Sequence, residues 1–251
     1  MTRVGFSRVA IVVGAVALLE VASRSAWINP VSFIPPSQMA LGAWGILFSG
    51  EYRADILLTL GAAGLAVLLS VSVGFVGGVA LFKFPRVRRV LDPLLLSYYA
   101  VPIFIFYPML IVLLGLNRWP IIAIGFLFAV VAMAVSTLNG LERVPVVLLR
   151  TARLLHLGRV DEIRLITLPA SLPFVFTGIK LSVVYSFIAV IAGEFVLSGS
   201  GFGYQIAFAY NNFDNSTMYG LMLLLLVFVG SLNLILYSVE QRLYQRRVLK
   251  E

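Results

Sequence analysis

The chain has 251 residues, 61% of them hydrophobic and only 12% charged, and its mean hydropathy is strongly positive. A soluble domain of this length carries far fewer apolar residues, so the class is polytopic membrane protein. The absence of cysteine excludes disulfides, thiolate metal sites and cysteine nucleophiles, and the one histidine, His156, leaves no imidazole cluster for a metal.

A helix needs about 20 mainly apolar residues to cross the hydrocarbon. Six stretches satisfy this: 9–27, 56–82, 94–115, 119–139, 173–196 and 216–238. Arg3 and Arg8 precede the first and Ala-Ser-Arg-Ser-Ala follows it, which also fits a cleaved signal peptide and would leave five spans; Glu20 inside the run argues against that alternative. Residues 28–55 form the longest external segment, punctuated by Pro30, Pro35 and Pro36, with a short surface helix expected from Gln38 to Phe48. The second span carries Gly74 and Gly78, a small-xxx-small pair that lets helices approach closely; packing inside the chain is favoured over a dimer seam. Pro102 and Pro108 fall in the third span, where each removes a backbone donor and predicts a kink, serving either a gate or the fit to neighbouring helices. Tyr98 and Tyr99 are candidates to line a pathway, with plain aromatic packing as the alternative.

Between the fourth and fifth spans lies the longest polar stretch, residues 140–172. Leu148, Leu149, Ala152 and Leu155 share one helical face while Arg150, Thr151 and Arg153 lie off it, which predicts a short amphipathic helix. Gly158 breaks it, a second short helix follows with Asp161, Glu162 and Arg164, and Pro169 opens the fifth span. Such a segment fits either protein docking or rest on lipid headgroups. Lys180 sits inside the fifth span, about 12 Å from its end at the usual rise. An ammonium there must pair, face water or snorkel. It is either a pathway cation for an anionic solute or a snorkelling side chain. Intramembrane carboxylates reduce to Glu20 and Glu194, both near the external ends of their spans. The external loop 197–215, with Tyr210, Asn211, Asn212 and Asp214, is a docking candidate or a solvated loop.

With the N-terminus inside, fifteen of the nineteen basic residues fall on inside segments: Arg3, Arg8, Lys83, Arg86, Arg88, Arg89, Arg143, Arg150, Arg153, Arg159, Arg164, Arg242, Arg246, Arg247 and Lys250. Arg24, Arg53 and Arg118 fall outside. This asymmetry predicts both termini in the cytoplasm. It also accounts for the net charge of +8 without nucleic acid. No soluble module is long enough to fold alone, so residues 1–251 read as a single membrane domain, and no internal repeat is visible. None of the three lysines follows a glycine, so there is no P-loop; His-Glu-x-x-His and Gly-x-Ser-x-Gly are also missing. The chain reads as a transport subunit and not an enzyme.

The polar stretch resembles the coupling loop of ATP-binding-cassette importer permeases, Glu-Ala-Ala, three residues, Gly, nine residues, Ile-x-Leu-Pro. Aligned on Ile166, Leu168 and Pro169, the alanine pair falls on Thr151 and Ala152, Glu becomes Arg150, and Gly becomes His156, with Gly158 available to supply the turn. Leu91-Asp-Pro93, Val101-Pro102, Pro108 and Leu114-Gly-Leu-Asn117 are similar to the third-span signature of the nitrate/sulfonate/taurine group. Ala170 to Lys180, Ala192-Gly-Glu-Phe195 and Gly201-Phe-Gly-Tyr204 are similar to its fifth span and external loop. The likeness covers about residues 54–247. It implies an all-α, type I importer-like bundle of six transmembrane helices in a bacterial inner membrane, paired as a homodimer. It also implies a cytoplasmic ATPase dimer that binds ATP and Mg and grips Arg150, Thr151, Ala152, Arg153, His156, Gly158, Ile166, Leu168 and Pro169, and a periplasmic solute-binding protein. The implied cargo is a small anion of sulfonate, taurine or nitrate type, or else a pyrimidine vitamin precursor. An ion-coupled secondary carrier and a membrane scaffold subunit are the rival classes.

Overall fold

The computed structural model describes residues 3–248 other than 26, 28 and 30–32, so Pro30 and Lys250 lie outside the described residues. Regular structure among the described residues is helical throughout: α1 (Arg3–Arg24), α2 (Pro36–Ser49), α3 (Arg53–Lys83), α4 (Pro85–Ser97), α5 (Tyr107–Leu114), α6 (Trp119–Glu142), α7 (Val146–Leu154), α8 (Arg159–Glu162), α9 (Leu168–Leu197), α10 (Phe202–Asn211) and α11 (Asn215–Val248). Four continuous stretches are long and apolar enough to cross a membrane: Arg53–Lys83, Trp119–Glu142, Arg159–Leu197 and Asn215–Gln241. A fifth is reached if the bent pair of Pro85–Ala100 with Ile103–Leu114 counts as one span.

Two expectations about prolines need correction. The third span is broken rather than kinked, turning through 93°. Val101 and Pro102 are both extended, at φ/ψ −86/123 and −69/97, because a proline ring disfavours the helical region for the residue before it and offers no donor. Pro108 bends nothing, since it lies in the first turn of α5, where a missing N–H has no partner to lose. Pro169 stands in the first turn of α9, as expected of the residue that opens the fifth span. A wide π turn over Ile163–Thr167 joins α8 to α9, so one helical stretch runs from Arg159 to Leu197; such a turn already relaxes the i→i−4 ladder where the ring would clash.

The chain forms two compact units, residues 1–58 with 194–230 and residues 59–193 with 231–251. In the first, Ile46, Phe202, Ile206, Ala209, Met218 and Leu221 make the core. Glu20 is tolerated in α1 because it caps α2: it accepts from Ser37 N at 3.0 Å and from Ser37 Oγ at 2.7 Å, and it pairs with Arg24. Glu194 is 4% exposed and accepts from Gly203 N at 3.0 Å. Asp55 takes Gly201 N and Gln205 Nε2, each at 2.8 Å. Two carboxylates thus satisfy two of the backbone N–H groups at the start of α10, those of Gly201 and Gly203. Gly201, at φ +101, is required there, because a side chain would collide with the Glu194 carboxyl. The expected external loop is therefore largely helix, exposed at Gly199 and Ser200 before α10, at Phe208, and at its tip from Tyr210 to Asp214.

In the second unit α6 is the central rod. Its core partners are Ala62, Ala63 and Ala66 of α3 and Phe187 and Val190 of α9, around Ile121 and Ile122. Lipid gives little hydrophobic drive between helices, so close backbone approach must supply the packing energy. Gly74 and Gly78 do so within the chain, as expected: a methyl group on Gly74 would stand 2.6 Å from the Val130 carbonyl, and one on Gly78 2.5 Å from that of Ala134.

Candidate functional site: an arginine-rich loop and an intramembrane ion pair

Beyond the end of α6, Arg143 places its guanidinium 5.2 Å from the centre of the Phe174 ring, tying the start of the loop to α9 by a cation–π contact. The expected amphipathic helix is present as α7, but only part of its apolar face is sunk. Ala152 is 0% exposed and Leu149 half-buried, whereas Leu148 and Leu155 face out. Arg150, Thr151 and Arg153 are exposed, the threonine hydroxyl donating back to Val147 O at 3.0 Å. Farther on, Ile166 and Pro169 are half-buried and Leu168 is exposed.

The turn after α7 is made differently from expectation. His156, which stands where the related pattern has glycine, itself adopts the left-handed conformation at φ 52. Leu157 N donates to Ala152 O at 3.0 Å and His156 N to Arg153 O at 3.1 Å, the paired bonds of a Schellman helix stop. Gly158 is extended (φ −65, ψ 158) and only starts α8. The frame holds because the hydrogen bonds, not the side chain, define the stop. A histidine there carries about 1 kcal/mol of steric strain that glycine lacks. His156→Gly should raise the thermal midpoint of the purified chain by roughly 2–4 °C; a fall would mean that the imidazole makes a stabilising contact of its own.

Leu154 at 79% exposure, Val160 at 75%, and Val146, Val147, Leu155 and Ile163 leave apolar area open among the arginines. Open apolar area of this extent fits a contact surface, toward a protein partner or toward lipid headgroups.

The predicted pathway residues lie elsewhere. Lys180 pairs with Glu240 at 2.7 Å, both side chains partly buried, and Thr177 Oγ1 donates to the second Glu240 oxygen at 3.3 Å. Sequence reading missed this partner by ending the last span at 238, whereas α11 continues through Val248 and its apolar part reaches Gln241. Sixty residues separate the pair along the chain; the only signal was a lone cation matched by a lone carboxylate at a span end. Tyr98 donates its hydroxyl to Leu127 O at 2.6 Å. Tyr99 closes a triangle of rings with Phe128 and Tyr185, centroids 5.7–6.3 Å apart, and stays half-exposed.

The model of one family, described as the binding-protein-dependent transport system inner membrane component, matches residues 66–249. The chain belongs to that family. Among its relatives, this permease is 28% identical over 213 residues to the nitrate import permease protein NrtB of Leptolyngbya laminosa, covering 81% of this chain and 75% of that one. To the taurine transport system permease protein TauC of Escherichia coli K12 it is 26% identical over 186 residues, 71% and 67% of the two chains. A bicarbonate transport system permease protein, CmpB of Synechococcus elongatus, is 28% identical over 173 residues, 68% of this chain and 59% of its own. The fold is shared with a chain of the inward-facing MetNI methionine ABC transporter, at TM-score 0.66 and 17% identity, over 78% of this permease and 98% of that chain. The expected class, an all-helical importer permease of the ABC type, stands, and the permease is a subunit of a binding-protein-dependent importer.

Proposed function

We propose that this permease works as one of two identical copies in a bacterial inner membrane, moving a small anionic solute of nitrate, taurine or sulfonate type at the expense of ATP. Residues 1–251 act as a single transmembrane domain of six spans, α1 supplying the first, with both termini in the cytoplasm; the fifteen inside basic residues support that orientation. A periplasmic binding protein delivers the solute. ATP and Mg are held by a separate ATPase pair, for which the loop from Arg150 to Pro169 is the grip. The nitrate and taurine permeases among the relatives support the solute class.

One observation carries the grip. The loop exposes apolar side chains among arginines, and its second half continues without interruption into α9. Force applied at Arg159 acts on one end of a single helical stretch of 39 residues, so a docked partner has a lever and not a floppy tether. The test is reconstitution of the chain with its ATPase subunit and binding protein in vesicles offered nitrate, taurine, alkanesulfonates and bicarbonate. Accumulation that requires ATP and the loaded binding protein is expected. Uptake driven by an ion gradient without ATP would instead identify a secondary carrier.

A further inference from the structure

Helix α4 carries three unlike faces. Val87, Val90 and Leu94 form an exposed apolar stripe, with Val90 71% exposed. Arg86 and Arg89 are exposed on the side adjoining it, and among the described residues neither pairs with a carboxylate. The third face is turned to the protein: Leu91 and Leu95 are half-buried, and Arg88 binds Asp92 on its own helix and Glu142 at the end of α6. The two nearest acids are thereby used up, and α4 is held with its other two faces outward.

Placement adds to this. Glu142 ends α6 where the arginine-rich loop begins, so its pairing with Arg88 puts α4 at the loop end of the spans. The Pro85–Ala100 segment stands at 93° to the apolar Ile103–Leu114 segment that follows. It begins two residues after α3 ends, with Phe82 and Phe84 exposed at the junction.

We propose that α4 lies flat in the cytoplasmic membrane interface and binds anionic phospholipid headgroups through Arg86 and Arg89, with Lys83 as a neighbour. The apolar stripe dips into the acyl boundary, and the arginines beside it then sit at phosphate level. The cytoplasmic leaflet carries the negative surface potential that basic residues seek there. A second protein is a poorer fit, because covering the stripe would strip water from two arginines that have no acid to meet.

The test exploits a chain without cysteine, so that single cysteines carry a nitroxide with no background. Labels at positions 87, 90 and 94, in the whole permease in phosphatidylcholine vesicles with and without 30% phosphatidylglycerol, should relax with oxygen and be shielded from an aqueous nickel chelate. A label at position 86 should be open to the chelate. Native mass spectra should show bound phosphatidylglycerol whose retention falls on the order of tenfold in Arg86→Gln/Arg89→Gln and survives in Arg86→Lys/Arg89→Lys. Chelate access at 90 and 94, spin–spin broadening from a second copy, shielding that appears only when the ATPase subunit is added, or retention indifferent to charge would each overturn the proposal. It rests on the loop lying in the cytoplasm but requires neither ATP nor solute, so a failed transport assay leaves this readout standing.

Discussion

Leu154→Glu and Val160→Glu should each abolish ATP-driven uptake while the permease still inserts and folds. Both side chains are about three-quarters exposed on the loop and support no core, so their loss leaves the chain intact. In a docked interface the same positions become buried apolar contacts, and a glutamate there is an unpaired charge in a desolvated pocket. Truncating a central apolar anchor costs about 2 kcal/mol or more, and stranding a charge adds to that. Co-purification with the proposed ATPase subunit should therefore weaken by at least about 30-fold. Arg150→Ala, a change at the rim, should lower affinity a few-fold and flatten its salt dependence. Ala152→Glu would fail differently, as lost protein, because that side chain is wholly buried. Undiminished co-purification with Leu154→Glu and Val160→Glu would remove the loop from the coupling role.

The second large effect concerns Lys180 and Glu240. Removing one partner of a partly buried pair leaves a charge in apolar surroundings, at about 3–5 kcal/mol in a well-buried case and less here because water reaches both groups. Lys180→Leu should be the worse of the two, since a stranded glutamate is short, whereas a stranded lysine has a four-carbon stem with which to snorkel. The double variant Lys180→Leu/Glu240→Leu should recover most of the thermal stability and most of the transport. A pathway cation behaves otherwise: its loss would persist in the double variant and would shift the preference among anions. Uptake of nitrate, taurine and a neutral analogue by the three variants separates these outcomes.

How far the sequence reached depended on the range of each interaction. Spans two, four, five and six follow from apolar runs, and α2 from its proline start and apolar spacing, because these are local signals. The arginine-rich loop stood out for the same reason. The break at Val101–Pro102 was half legible: proline predicts a defect, but whether the chain kinks or turns through 93° depends on what Tyr98, Tyr99 and Ile103 pack against. Glu240, Arg88 with Glu142, and Asp55 with Gly201 are meetings of residues from 54 to 146 positions apart, which periodicity does not encode. His156 shows the converse. A side chain that breaks a motif at the level of letters can preserve it at the level of backbone hydrogen bonds.

The glycines along α6 have a kinematic consequence. Gly74 and Gly78 of α3 press on one side of it, and Gly178 of α9 meets Met133 and Ser136 on another, while the helix's own Gly125 and Gly140 meet Val190 and Phe174. A seam with no spare ångström cannot slide in small steps; α3, α6 and the adjoining part of α9 must travel as one stiff block or come apart. Backbone freedom is left to residues 98–106, which have given up the regular α-helical ladder for two short 3-10 turns and an extended Val101–Pro102 link. Any rocking of this unit is geared through that joint, and its backbone amides should exchange with deuterium long before those of the glycine seam.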